Sequence, residues 1–278
     1  MEQEIKIIFE DQDILVVDKP AGVVANQADS VKQPSLQAWF SKKYQSTFPS
    51  DWQVCVPEDF SAEFGKPTEI FTQRQGLVHR LDKNTSGVMV FAKHPGSLVN
   101  LLAQFRQRKT SKQYLALVHG TFRIPKGTIT APLARARVDR RKFAVDVNGR
   151  AAETDYEVVK SFGGFTADFY NQFSVEQQKI LRQAERFYNQ GFALVRCWPK
   201  TGRTHQIRVH LAHENHPLVG DVTYLGKKRA KVDPLWCSRH FLHAETLEFF
   251  HPRTNNLVKF SAKLPVNLNQ VVAFLQEK

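Results

Sequence analysis

The apolar runs of this chain are short and set off by glycine, proline and turn residues, and this limits what it can fold into. Ile14-Leu15-Val16-Val17, Val88-Met89-Val90-Phe91-Ala92 and Phe192-Ala193-Leu194-Val195 have the length of buried strands. All fall far below the roughly 18 residues of a membrane span. Further strands are expected at 114–120, 152–159 and 242–250, the run at 192 is expected to continue as a strand to 198, and two short β-rich runs flank an acidic turn near the start. Clear helical periodicity marks two segments. Residues 98–108 place Leu98, Leu101, Leu102 and Phe105 on one face. Ser174 and Gln177 form a capping-box pattern ahead of a stripe of Ile180, Leu181, Ala184, Phe187 and Tyr188 that Gly191 stops. Weaker helical signals lie at 36–44, 206–213 and 268–275, and residues 28–72, with Pro49, Pro57 and Pro67, read as a long surface excursion. Strands and helices do not alternate as βαβ units, and no repeat or linker divides the chain. An α+β fold in a single domain, 1–278, is expected.

Charge narrows the choice of partner. The 278 residues carry a formal net charge of +12. The excess is local, because residues 71–150 hold sixteen Lys and Arg against three acids and the rest of the chain is about neutral. A field confined to one stretch suits a polyanion. Cys55, Cys197 and Cys237 are odd in number and lack Cys-x-x-Cys spacing, against a disulfide framework or a thiolate zinc site. Met1-Glu2-Gln3-Glu4 has no secretory-signal character. A cytoplasmic protein with no membrane partner is expected.

The densest chemical signal is 76–87, Gly-Leu-Val-His-Arg-Leu-Asp-Lys-Asn-Thr-Ser-Gly, leading into an apolar strand. Asp82, between Arg80 and Lys83, is placed to stay ionised and serve as nucleophile or base, or else is a turn residue. A second constellation is 200–212, Lys-Thr-Gly-Arg-Thr-His-Gln-Ile-Arg-Val-His-Leu-Ala, followed by His216 to Asp221. Were 204–212 helical, His205 and Arg208 would share a face and present a cation to a cleft. The imidazoles of His119, His205, His210, His213 and His216 raise a metal site, but no His-Glu-x-x-His spacing supports one. Tyr114, at the start of a strand behind a basic run, can stack on an unpaired base or simply pack in the sheet.

These pieces, with Asp18-Lys19-Pro20-Ala21-Gly22, 112–120, Leu242-His243-Ala244 and Lys263-Leu264-Pro265, resemble the RluA-type pseudouridine synthases in order and over nearly the whole chain. The resemblance implies an α+β fold whose central mixed, mainly antiparallel sheet lies in two halves flanked by helices and bounding a basic cleft. It implies isomerisation of uridine to pseudouridine in rRNA or tRNA, by a monomer without metal or cofactor. Asp82 then corresponds to the catalytic aspartate, Tyr114 to the tyrosine that packs on the target base, and Arg208 to the arginine paired with the aspartate. Arg80 is expected to help displace the flipped nucleotide, and Lys112 and Leu264 to line the pocket. Thr204, His205 and Ile207 fall in the motif expected to contact substrate. Against the family pattern no S4-type module precedes the first strand, so docking is expected to rest on the catalytic domain or another molecule. Segments 28–72 and 174–190 run longer than usual, as RNA-recognition elements or inert insertions. Two other readings compete: an RNA-binding protein that lost its chemistry, against which Asp82, Tyr114 and Arg208 all stand, and a metal hydrolase built on His205, His210, His213 and His216.

Overall fold

The computed structural model describes residues 4–26, 35–44, 48–61, 63 and 65–278. Strands β1 (Lys6–Glu10) and β2 (Ile14–Lys19) are followed by α1 (Leu36–Lys43), α2 (Pro67–Arg74), β3 (Ser86–Ala92) and α3 (Pro95–Arg106). Next come β4 (Ser111–His119), β5 (Lys126–Thr130), β6 (Leu133–Arg135), β7 (Phe143–Val145) and the long β8 (Glu153–Phe165). The rest of the chain supplies α4 (Val175–Ala184), β9 (Phe192–Pro199), α5 (Gln206–His213), α6 (Arg229–Val232), β10 (Leu242–Phe250), β11 (Leu257–Ser261), α7 (Val266–Ala273) and β12 (Leu275–Glu277). The fold is α+β, as expected. Among the described residues no helix is long and apolar enough to cross a membrane.

The chain divides into two compact units, each made of two stretches: Met1–Lys112 with Ala244–Lys263, and Gln113–His243 with Leu264–Lys278. In the first, β2 pairs antiparallel with β1 and β3, β10 lies beside β3, and β11 pairs antiparallel with β10. Every residue of β3 is buried, as its unbroken Val-Met-Val-Phe-Ala run requires. Its core joins Val16, Val88 and Val90 to Leu98 and Leu101 of α3 and to Leu247 and Phe249 of β10. Gly87 is forced: its φ is +119°, and a Cβ there would lie 2.1 Å from the Ala244 carbonyl oxygen.

In the second unit β9 is central, antiparallel to both β4 and β8, and β5 and β12 pair antiparallel with β8. Strands β6 and β7 form a separate antiparallel pair, and the basic run 136–142 closes it as a hairpin. An aromatic core gathers Phe162, Phe169, Tyr188, Phe192, Trp236 and Phe241.

Several expectations need correction. Residues 28–72 are not only a surface excursion: Leu36, Phe40 and Cys55 are fully buried, and the Phe40 ring stacks on Phe91 at 4.7 Å. Residues 28–34, 45–47, 62 and 64 of that segment lie outside the described residues. The helix after Ser174 has its capping box but ends at Ala184, with a 3₁₀ turn from Glu185 to Tyr188. The terminal helix also stops early, because Leu275 pairs with Phe165 as the first residue of β12.

Candidate active site

In the first unit the site is built on the loop before β3. Its residues alternate: Leu81 is buried, Arg80 is exposed and Asp82 is half-buried. His79 is spent on structure, accepting the Val90 N–H at Nε2 (3.1 Å) and stacking on Phe105 at 4.8 Å. Burial, with the Lys112 charge, drives its pKa to about 3, so it stays neutral. The loop backbone is tied on both sides of Asp82's turn: the Thr85 N–H donates to the Asp82 carbonyl (3.1 Å) and the Gly22 N–H to the Lys83 carbonyl (2.8 Å).

Lys19 explains the Asp-Lys-Pro-Ala-Gly segment. Its side chain is completely buried, and Nζ donates to the carbonyls of Pro20 (2.9 Å), Val23 (2.8 Å) and Lys83 (3.1 Å). One ammonium thus binds the turn after β2 to the loop that carries Asp82. Lys112 lies beside Phe105, with Nζ 5.9 Å from the ring centre. Burial, aided by the Arg108 charge, brings its pKa down to about 8.

In the second unit Tyr114 is half-buried on β4 opposite Cys197. The Gly-Arg-Thr-His-Gln-Ile-Arg segment is held by Gln206, whose Oε1 accepts from Thr201 Oγ1 (2.6 Å) and the Arg203 N–H (3.0 Å). Its Nε2 donates to the Glu153 carbonyl and to Thr154 Oγ1, both at 2.9 Å. Every polar atom of that amide is engaged, which fixes the entry to α5. Helix α5 begins at Gln206, as the signal over 206–213 has it, so His205 lies just outside the helix. It is the N-cap in the left-handed region (φ 57°), so it does not share a helical face with Arg208. Its Nδ1 is hydrogen-bonded to the Tyr224 hydroxyl at 2.8 Å. Thr204 is exposed, Ile207 is buried in the apolar cluster with Ala116 and Val195, and Leu264 packs half-buried against the aromatic core.

Arg208, expected to present a cation to a cleft, is only 5% exposed. Its Nε and Nη2 donate to the Asp221 carboxylate at 2.7 and 2.8 Å, a two-pronged pair that fixes the plane of the guanidinium. Burial alone would raise the Asp221 carboxyl; the hydrogen bonds and charge of Arg208 outweigh it and hold the group below the ordinary carboxylate range. Asp221 also accepts the Thr223 N–H at 3.1 Å. Behind it, buried Asp233 accepts the Gly220 N–H (2.9 Å) and the Tyr188 hydroxyl (2.9 Å), and lies 2.8 Å from His119 Nε2. Sequence reasoning quoted Asp221 without giving it a role and missed Lys19, Gln206, Tyr224 and Asp233 as positioning groups.

The imidazoles that raised a metal site are dispersed. His210 is tied to Thr154 Oγ1 and the Ala131 carbonyl, and His216 to the His119 carbonyl while stacked on Phe122 at 3.8 Å. Among the described residues, the groups close enough to share an ion are Asp13 with Cys55 and His94, and Asp11 with Asp13 and His251. Asp13 is already neutralised by Arg253, whose Nε reaches both carboxylate oxygens at 3.0 and 2.9 Å.

Comparison with known proteins gives a consistent result. Residues 13–213 match the family described as RNA pseudouridylate synthase. An uncharacterized RNA pseudouridine synthase of Aquifex aeolicus is 35% identical over 277 residues, covering 98% of this chain and 73% of that protein. The ribosomal large subunit pseudouridine synthase D of Xanthomonas campestris is 33% identical over 281 residues, covering 98% and 70%. Among solved structures, human RNA pseudouridylate synthase domain containing 1 has a TM-score of 0.66 at 23% identity, with 100% of this chain and 92% of that one covered, a likeness of fold.

Proposed function

The chain belongs to the RNA pseudouridylate synthase family, and from that premise we infer that it isomerises uridine to pseudouridine in large-subunit ribosomal RNA with Asp82 as the catalytic carboxylate. The reaction breaks N1–C1′, forms C5–C1′ and moves a proton from C5 to N1, so atoms balance without oxidant, reductant or cofactor. Addition of the carboxylate at C1′ and removal of the C2′ proton both need an ionised oxygen held still. By the same resemblance Tyr114 is the tyrosine that packs against the uracil during its turn, and Arg208, held in plane by Asp221 in its own unit, corresponds to the family arginine paired with the catalytic aspartate. Arg80 helps displace the flipped nucleotide, Lys112 and Leu264 line the pocket, the latter as an apolar wall, and Thr204, His205 and Ile207 belong to the segment that contacts substrate. The two units act as one catalytic domain over residues 1–278. A ribosomal substrate goes with a cytoplasmic location.

The observation that carries this reading is the match over residues 13–213, which takes in Asp82, Tyr114 and Arg208 together. The ribosomal assignment is supported by relatives whose names specify the large subunit, from Xanthomonas campestris and Pseudomonas aeruginosa among others. Unstacking the target nucleotide costs a few kcal/mol, and phosphate contacts from the basic stretch 71–150 offset it.

The test is pseudouridine mapping on large-subunit rRNA transcribed in vitro and treated with wild-type protein or Asp82→Asn. Wild type is expected to form pseudouridine at discrete positions, and the variant to bind the transcript but form none. Turnover by Asp82→Asn removes that residue from the chemistry, and modification of tRNA alone by wild type removes the ribosomal assignment.

A further inference from the structure

In the second unit an unbroken series of contacts runs from the basic β6–β7 hairpin to the buried guanidinium. Residues 135–142 hold five Lys and Arg against one acid, and Val138 at their tip is fully exposed. At the base of the hairpin the Arg135 guanidinium lies over the Phe143 ring at 5.8 Å. Phe143 meets the edge of His205 at 5.9 Å, and His205 meets Tyr224 at 5.7 Å and 84°. The Tyr224 ring carries the Arg208 guanidinium at 5.1 Å.

Tyr224 joins Phe143, His205 and Arg208. Its hydroxyl accepts the Phe143 N–H at 3.0 Å and is bonded to His205 Nδ1 at 2.8 Å, while its ring holds Arg208. Its own backbone is fixed by Asp221, whose carbonyl accepts the Tyr224 N–H (3.0 Å) and whose carboxylate grips Arg208. The same turn therefore supplies both restraints on the guanidinium. A displacement of the hairpin strand at Phe143 pulls directly on the Tyr224 oxygen. Packing reinforces the link, since Phe143, Val145 and Tyr224 close over Leu133, Ala152 and Val209, joining the hairpin to α5.

We propose that Tyr224 is a positioning residue through which contact of RNA with the β6–β7 hairpin sets the orientation of Arg208. The proposal rests on the pseudouridine synthase reading and adds a coupling between substrate docking and the site. A duplex or folded RNA that reaches the hairpin with its phosphates is recognised not only by affinity but by the alignment it produces.

The experiment is a cycle on the large-subunit rRNA transcript, with single-turnover rates at saturating RNA and dissociation constants measured separately. Tyr224→Phe keeps the ring under Arg208 and removes both hydroxyl contacts. It is expected to slow the rate about tenfold with little change in affinity. Arg137→Gln with Arg140→Gln, both exposed on the hairpin, is expected to weaken binding and also slow the rate in the wild-type background. In the Tyr224→Phe background the same pair should weaken binding only. Hydrogen exchange gives a readout apart from turnover: RNA should protect the amides of α5 in wild type and fail to do so in Tyr224→Phe. Should Tyr224→Phe fail to fold, Phe143→Leu removes the ring contacts to Arg135 and His205 while leaving the backbone N–H on the Tyr224 hydroxyl, and is expected to slow the rate by less than Tyr224→Phe would, again with little change in affinity; an unchanged rate overturns the proposal. Rate effects that simply multiply, or protection unchanged by the variant, overturn the proposal while the function stands. Absence of pseudouridine with wild type overturns the function reading and this proposal with it.

Discussion

Replacing Asp221 by Asn tests the charge balance on which Arg208 depends. Both partners are buried, at 5% and 2% exposure, and two hydrogen bonds of 2.7 and 2.8 Å join them. The substituted amide would keep the shape and can still accept from the Thr223 N–H, but it carries no charge and turns an N–H toward a guanidinium N–H. Removing one partner of a buried pair costs about 3–5 kcal/mol, a large share of the roughly 5–15 kcal/mol that holds a folded protein together. With a urea slope of about 3 kcal/mol per M, the midpoint should fall by roughly 1 M or more. Arg208→Met should cost a similar amount by stranding the carboxylate. The double variant Arg208→Met with Asp221→Leu strands neither, so it should be less damaged than the sum of its parts by at least about 1 kcal/mol. The pH dependence has a fixed sign. The folded carboxyl lies below its unfolded value of about 3.9, so its stabilisation is fully present above that value and is lost as pH falls through the lower folded pKa. The wild-type minus Asp221→Asn difference should then be flat from about pH 5 to 8 and shrink only in acid. An Asp221→Asn cost below about 1 kcal/mol, or strict additivity of the cycle, would refute the argument that this buried pair is mutually dependent.

Three other outcomes follow from the first unit. Lys19→Met removes the donor from three carbonyls at a fully buried position; urea unfolding should show a loss of about 3 kcal/mol, and single-turnover assays a slower rate from the loosened Asp82 loop. Gly87→Ala sets a methyl against the Ala244 carbonyl at a φ of +119°, so it should cost about 3 kcal/mol or more or leave no folded protein, as read by circular dichroism. Lys112 loses its proton near pH 8, so RNA affinity should decline as pH rises through that value, and Lys112→Gln should remove that part of the decline in a filter-binding titration. The same shift makes the folded chain release this proton before the unfolded one does, so its contribution to stability should rise from about pH 8 toward the ordinary lysine range.

Much of the fold was legible because its cause is local. Strand β10 was found at its observed bounds, and β9 to within one residue, from apolar runs, and the capping box at Ser174 from two residues three positions apart. The errors arise where a distant partner decides. The last helix was read through Leu275 on its own periodicity, but pairing with Phe165, over a hundred residues earlier, draws Leu275 into a strand. His205 gave little sign of its left-handed backbone, since histidine is enriched there but is common elsewhere, and its Nδ1 is hydrogen-bonded to the Tyr224 hydroxyl well beyond it in the chain.

The candidate site divides in the same way. Asp82 was placed correctly in a loop at the mouth of a buried strand, because loop and strand signals adjoin in sequence. The partner of Arg208 within its unit was missed, yet its chemistry had left a trace. The run Gln206-Ile207-Arg208-Val209-His210-Leu211 has no solvent face, and all six residues are buried. Three of the six, Gln206, Arg208 and His210, are polar, so the burial shows only in the structure; a guanidinium keeps its proton even when buried, so a carboxylate has to be nearby. Glu214, at the exposed end of the helix, cannot reach inward without surrendering its water. Asp221, just after Leu218-Val219-Gly220, could, because those residues enter the core and Gly220 tolerates a close approach: a Cβ there would sit 2.2 Å from the Arg239 carbonyl oxygen. Once the helix is known to be buried, taking its charge as an obligatory pair, and the glycine beside Asp221 as permission for close packing, leads to the Arg208–Asp221 link and to the turn that carries Tyr224.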